Sequence, residues 1–244
     1  MLTTPMLDTL QKTANLPLVR IERENFLKDT FREYNSLLPT IIDSGAFKAG
    51  IPHCVIQQKA LAIIDYEASK AGLISFATGI PGGMAIFGTV PADILQFMAH
   101  ALRIAQKLAF LSGMPKDYEN NEQRTRDIQL FMLYLGVMFG SSVANTALLK
   151  LCRSIENAAI QTLPQSMLVQ ILGYDVIKNI LNFVGVQLSK ENFAKGISKI
   201  IPIIGGLAAG TLTFISLKKM SLRLYRQLAK GQQCPSLSLP MNPQ

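Results

Sequence analysis

The chain has 244 residues, 49% of them hydrophobic and only 16% charged, and carries a net charge of +8. That length buries a large core as one domain, and the low charge, against roughly 25% in ordinary soluble domains, excludes a disordered chain and leaves a thin water-facing surface. Cys54, Cys152 and Cys234 are an odd number at wide spacing, which argues against a disulfide framework and fits a reducing compartment.

Apolar residues recur at spacings of three and four rather than two, so the expected fold is all-α: a single multi-helix bundle with Gly/Pro-broken apolar helical hairpins. Residues 1–16 read as an N-terminal extension, 17–230 as the helical domain and 231–244 as a disordered tail. The start, MLTTPMLDTLQK, has no basic region followed by an apolar core. No signal peptide is therefore expected, and the bulk of the chain is placed on the cytoplasmic side.

In chain order, residues 19–34 put Val19, Phe26, Leu27, Phe31 and Tyr34 along one side of an amphipathic helix. Pro52 opens a second helix, residues 53–71, with Val55, Ile56, Ala60, Ile63 and Ile64 inward. The stretch 71–92 is uncharged and long enough to span a bilayer, but Gly79, Pro81, Gly82 and Gly83 break its middle, so two short helices folded back on each other are expected. Pro91 then starts a helix whose first turn holds Asp93 and which Gly113 closes.

A polar connection, 116–127, leads to a second uncharged run, 128–149. There Gly136, Gly140 and Ala144 repeat at four-residue intervals, a ladder that lets another helix backbone approach closely. Shorter helices follow over 157–174, 176–188 and 191–201. Pro202 opens a last long helix ending at Gly231, with Gly205, Gly206, Ala209 and Gly210 as a further set of small contacts near its start.

Charge is unevenly placed. Residues 1–127 hold 13 Lys/Arg against 13 Asp/Glu, whereas residues 128–244 hold 11 against Glu156, Asp175 and Glu191 alone. In the last helix an apolar run, 200–217, passes directly into Lys218, Lys219, Arg223, Arg226 and Lys230. Cations beside apolar runs suit anionic lipid headgroups better than nucleic acid. These five residues are the expected membrane contacts, and anionic membrane lipid the expected partner.

Nothing in the sequence identifies a reaction. His53, Cys54, His100 and Cys152 lack the spacing of a metal site, and no serine sits in a nucleophile elbow. The glycines of GIPGG lack the lysine and the serine or threonine of a phosphate loop. No enzyme activity, cofactor or metal is expected. Asp93 and Arg103 lie among apolar neighbours, where either a buried polar contact or a solvated face is open to them.

The run GIPGGMAIFGTVPADILQFMAHALRIAQKLAFLSG, with the later IPIIGGLAAGTLTF, resembles the EcsC family of bacterial proteins over about residues 50–230. The shared positions are Gly88, Asp93, Arg103, Gln106, Gly113, Pro202 and Gly205; Thr213 stands where the family pattern has an asparagine. The resemblance implies a membrane-associated helical protein, with an ABC exporter as a possible partner and no catalytic residues. It makes Asp93, Arg103 and Gln106 candidates for polar contacts.

Three functions fit. The first is a non-enzymatic protein docked at the cytoplasmic leaflet by its basic helix. The second is a membrane-permeabilising effector whose apolar hairpins insert. The third is a soluble lipid-binding protein whose apolar runs line a cavity.

Overall fold

The computed structural model describes residues 10, 13–14, 19–78, 92–114, 123–157, 164–188 and 207–231. Among them the regular elements are all helical, so the chain is an all-α bundle. In order they are α1 (Arg23–Thr30), a 3-10 helix (Arg32–Leu37), α2 (Leu38–Ser44), α3 (His53–Thr78), α4 (Ala92–Leu111), α5 (Gln123–Phe139), α6 (Ser142–Asn157), α7 (Gln165–Ile171), α8 (Tyr174–Leu188) and α9 (Leu207–Gly231).

The N-terminal helix is shorter than the apolar pattern of 19–34 predicts. Val19 and Ile21 lie before α1, because their backbone carbonyl and amide are bonded to the side chain of Gln106 rather than to a helical turn. At the other end Phe31 (φ −117°, ψ 27°) and Tyr34 (φ −108°, ψ 46°) leave α-helical geometry, and the chain tightens into the 3-10 helix. Leu10 and Thr13, within the expected extension, are fully buried.

α3 runs through Gly72 to Thr78 instead of stopping at residue 71. Glycine here serves helix packing. A Cβ at Gly72 would stand 2.8 Å from the carbonyl oxygen of Gly210, so the backbones of α3 and α9 all but touch where they cross. Seven residues toward the start of α3, Asp65 meets Lys218, which makes the two helices antiparallel.

The uncharged run 128–149 is two helices, α5 and α6, turned at Gly140. Gly140 has φ +94°, and the amides of Gly140 and Ser141 bond back to the Gly136 carbonyl, closing α5 in the left-handed cap that glycine adopts at no steric cost. A Cβ at Gly136 would lie 2.7 Å from both the Ala144 Cβ and the Ile180 Cγ2. The helices that approach Gly136 are thus the second half of its own run and α8.

Residues 157–174 are not one helix. Pro164 is extended (φ −66°, ψ 141°) and caps the short α7, since proline has no amide to continue a helical ladder. The expected helix over 191–201 lies outside the described residues.

α9 is the axis of the bundle. It packs along α3 and also touches α4, α5 and α6. Its buried residues, Leu217, Met220, Ser221, Leu224, Tyr225 and Leu228, cover a wide face because partners lie on several sides. Near the start of α9, Gly210 and Phe214 lie against Gly72 of α3. Among the described residues, no helix is long and apolar enough to cross a membrane.

Candidate functional site

Two concentrations of charge stand out, one inside the bundle and one on its surface. The inner one centres on Glu67, whose side chain is 0% exposed. Glu67 lies on the stripe of α3 that also buries Ala60, Ile64, Ala68 and Ala71. Opposite it, His100, Arg103 and Lys107 follow at intervals of three and four, which aligns them on one side of α4.

The Lys107 ammonium donates to Glu67 Oε1 at 2.6 Å, and the Arg103 guanidinium reaches the same oxygen at 3.2 Å. Arg103 Nε lies 3.3 Å from Oε2, so its contact with the carboxylate is two-pronged. His100 Nδ1 stands 3.4 Å from Oε2 without hydrogen-bond alignment. Burial works against the charge on Glu67, but His100, Lys107 and Arg103 outweigh it and hold the carboxyl well below the usual carboxylate range. Lys107 also lies 5.8 Å above the Phe26 ring, which ties α1 to the cluster.

Gln106, on the neighbouring side of α4, is a buried clamp. Its Nε2 donates to the Val19 carbonyl at 2.9 Å and to the Leu102 carbonyl at 3.1 Å, while its Oε1 accepts from the Ile21 amide at 3.2 Å. The side-chain amide thus pairs with an extended backbone segment as a strand would.

An open groove of about 640 Å³ lies against this cluster, between the N-terminal helices and α3. Lys107 is the shared residue: it lines the groove and is bound to Glu67.

The surface concentration lies on α9, and the structure divides it. Lys218 pairs with Asp65 at 2.6 Å and covers the Phe214 ring at 5.5 Å. Arg223 turns inward: its Nη1 donates to the Met138 carbonyl at 2.7 Å, at the C-terminal end of α5, and packs over Gly140. There it complements the helix dipole. Arg223 is thus a helix cap.

Lys219, Arg226 and Lys230 remain exposed. At 100° per residue they fall within about 40° of arc, a stripe about 16 Å long. α9 contains no acid along its whole length, and the adjacent α6 adds exposed Lys150 and Arg153 beside the exposed Glu156.

Of the expected packing glycines, Gly136 and Gly210 stand at the close approaches described above, and Gly140 is a turn. Gly79, Gly82, Gly83, Gly205, Gly206 and the side chain of Asp93 lie outside the described residues. Arg103 meets Glu67 of α3, whereas Gln106 holds the segment of Val19 and Ile21, so the two side chains serve different partners. Sequence reasoning missed Glu67, Lys107 and Asp65, and weighed His100 only as a metal ligand. The available signal was an acid on an apolar helical stripe, together with His100, Arg103 and Lys107 in helical register.

Among the described residues, no group of three His, Cys, Asp or Glu side chains is placed to hold a metal ion. Cys152 is buried against Gly231, and burial pushes its thiol up to about 12, which leaves it protonated at neutral pH. The chain matches no family model, no curated protein and no solved structure. The class defined by fold and site is an all-α bundle with an internal ionic cluster and a cationic axial helix.

Proposed function

We propose that this chain is a non-enzymatic, membrane-associated protein that docks at the cytoplasmic leaflet through the exposed cations of α9. The observation that carries this reading is the stripe of Lys219, Arg226 and Lys230, unopposed by any acid on its own helix. Each cation near an anionic surface contributes about 1 kcal/mol, so the three supply about 3 kcal/mol before salt screening reduces it. Because α9 packs along α3, with Gly210 and Phe214 against Gly72, docking at the headgroups rather than burial of α9 is the mode favoured. The EcsC resemblance adds an ABC exporter as the candidate protein partner in the same membrane.

The test is sedimentation with phosphatidylglycerol-containing vesicles against neutral phosphatidylcholine ones. Replacing Lys219, Arg226 and Lys230 by glutamine is expected to weaken binding to the anionic vesicles by roughly tenfold or more, and added salt to mimic the change. Helix content is expected to persist, since glutamine is nearly as good a helix former as lysine or arginine. Equal binding by a folded triple variant sinks the proposal.

Insertion of an apolar hairpin has one observation in its favour. Leu73 is 69% exposed and Ile74 36% exposed near the end of α3, just before the uncharged sequence 79–91. Release of a trapped dye from the same vesicles separates insertion from docking alone.

A further inference from the structure

α3 and α9 share one outer face, and the bridge between Asp65 and Lys218 marks its seam. Both halves of the bridge reach solvent, Asp65 being 51% exposed and Lys218 39%. On each helix the residue before the bridge is fully buried, Ile64 on α3 and Leu217 on α9. The residue after it is exposed, Tyr66 on α3 and Lys219 on α9. Because the two helices run antiparallel, a step past the bridge turns outward on the same side of both. Tyr66 and Lys219 therefore flank the seam on a common surface.

Helical periodicity extends each flank. Ala62, Tyr66 and Leu73 are all exposed and, at 100° per residue, fall within about 40° of arc on α3, a stripe without charge. Tyr66 is 63% exposed despite its size. The exposed Lys70, one turn from both Tyr66 and Leu73, stands at its outer edge. On α9 the matching stripe is Lys219, Arg226 and Lys230. Leu73 and Lys230 lie on opposite sides of the bridge along the axis, eight and twelve residues away, so the face is about 30 Å long. The acid at the seam, Asp65, is matched by Lys218.

Exposed apolar side chains bordered by cations have the composition of a surface that seats on an anionic bilayer. The apolar groups enter between the headgroups, while lysine and arginine stems lie along them and keep their charge at the level of the phosphates. Tyrosine suits that level too, apolar in its ring and polar at its hydroxyl. The phosphates of a nucleic acid would satisfy the cations but leave Leu73 in water, so a lipid surface fits both halves of the face. We infer that α3 and α9 together form the membrane-facing surface, with Tyr66 and Leu73 seated between headgroups beside the cations of α9. This rests on docking through α9 and adds the apolar half of the contact.

The chain has no tryptophan, so Leu73→Trp places a single reporter on the face. With phosphatidylglycerol-containing vesicles its emission is expected to shift to the blue and to be quenched by lipids brominated near the top of their acyl chains. Val169→Trp, at an exposed position of α7, which packs on α6, is expected to do neither. Replacing Tyr66 and Leu73 together by glutamine is expected to weaken vesicle binding by roughly tenfold through lost apolar burial, at unchanged helix content. A bound Leu73→Trp chain without shift or quenching, equal quenching at Val169→Trp, or a glutamine variant that binds as tightly as the parent overturns the inference and leaves docking through α9 standing. Failure of the parent to bind these vesicles removes both. A blue shift that arises without vesicles and grows with protein concentration assigns the face to a second copy of the chain, and equally overturns the inference.

Discussion

The cations of α4 and those of α9 are the same residue types in the same kind of helical register, and they end in opposite environments. Arg103 and Lys107 converge on a carboxylate that water does not reach, whereas Lys219, Arg226 and Lys230 are exposed to solvent. The difference is set by the neighbouring helix: α3 presents Glu67 to α4, but to α9 it presents Gly72 and, at the surface, Asp65, which pairs with Lys218. A cation's role is therefore decided by what the next helix places opposite it. Inside, charge is a structural element; outside, it is a surface available to a partner.

That contrast can be broken most severely at Glu67. Glu67→Gln removes the carboxylate that Arg103 and Lys107 share, and removing one partner of a buried ion pair costs about 3–5 kcal/mol. Urea denaturation is expected to show a loss at the lower end of that range, because both cations are partly solvated. A loss below about 1 kcal/mol would mean that water already compensates them.

The same carboxylate sets an acid sensitivity. Its pKa is depressed in the folded state, so its contribution is fully present above the ordinary glutamate value of about 4.3 and is lost as pH falls below it. Unfolding free energy is expected to drop between pH 5 and about pH 3, and Glu67→Gln to flatten that part of the profile. Arginine and lysine stay charged throughout, so the slope reports carboxylates.

Gly72→Ala tests the crossing of α3 and α9. The new Cβ meets backbone, which cannot swing aside, so a cost of about 1–2 kcal/mol is expected even after alanine's better helix propensity. Thermal unfolding measures it. A stabilised variant would show that the two helices part easily.

Within α9, Arg223→Ala is expected to cost about 1 kcal/mol through loss of the bond to the Met138 carbonyl, while leaving vesicle binding unchanged. The glutamine variant of Lys219, Arg226 and Lys230 is expected to do the reverse, with stability within about 0.5 kcal/mol of the parent and vesicle binding reduced. If both variants lose binding equally, the division of the basic helix into a cap and a surface stripe fails.

Local pattern was enough to establish the helical class, the start of α3 after Pro52 and the close of α4 at Gly113, because each depends on periodicity or on one residue's backbone preference. The basic stretch of α9 was likewise visible, since a run of cations without acids needs no third dimension to be counted. What tertiary structure alone decided was the meaning of each side chain within those elements. Arg223 became a cap because α5 ends beside it, and Gln106 became a clamp because the segment of Val19 and Ile21 lies within reach. The run 128–149 folded onto itself at Gly140, where only a positive φ tells a turn from a packing contact. Glu67 and Lys107 are 40 residues apart in sequence and 2.6 Å apart in space. A charge on an apolar stripe shows that a partner is needed; which residue supplies it is determined by how the helices pack.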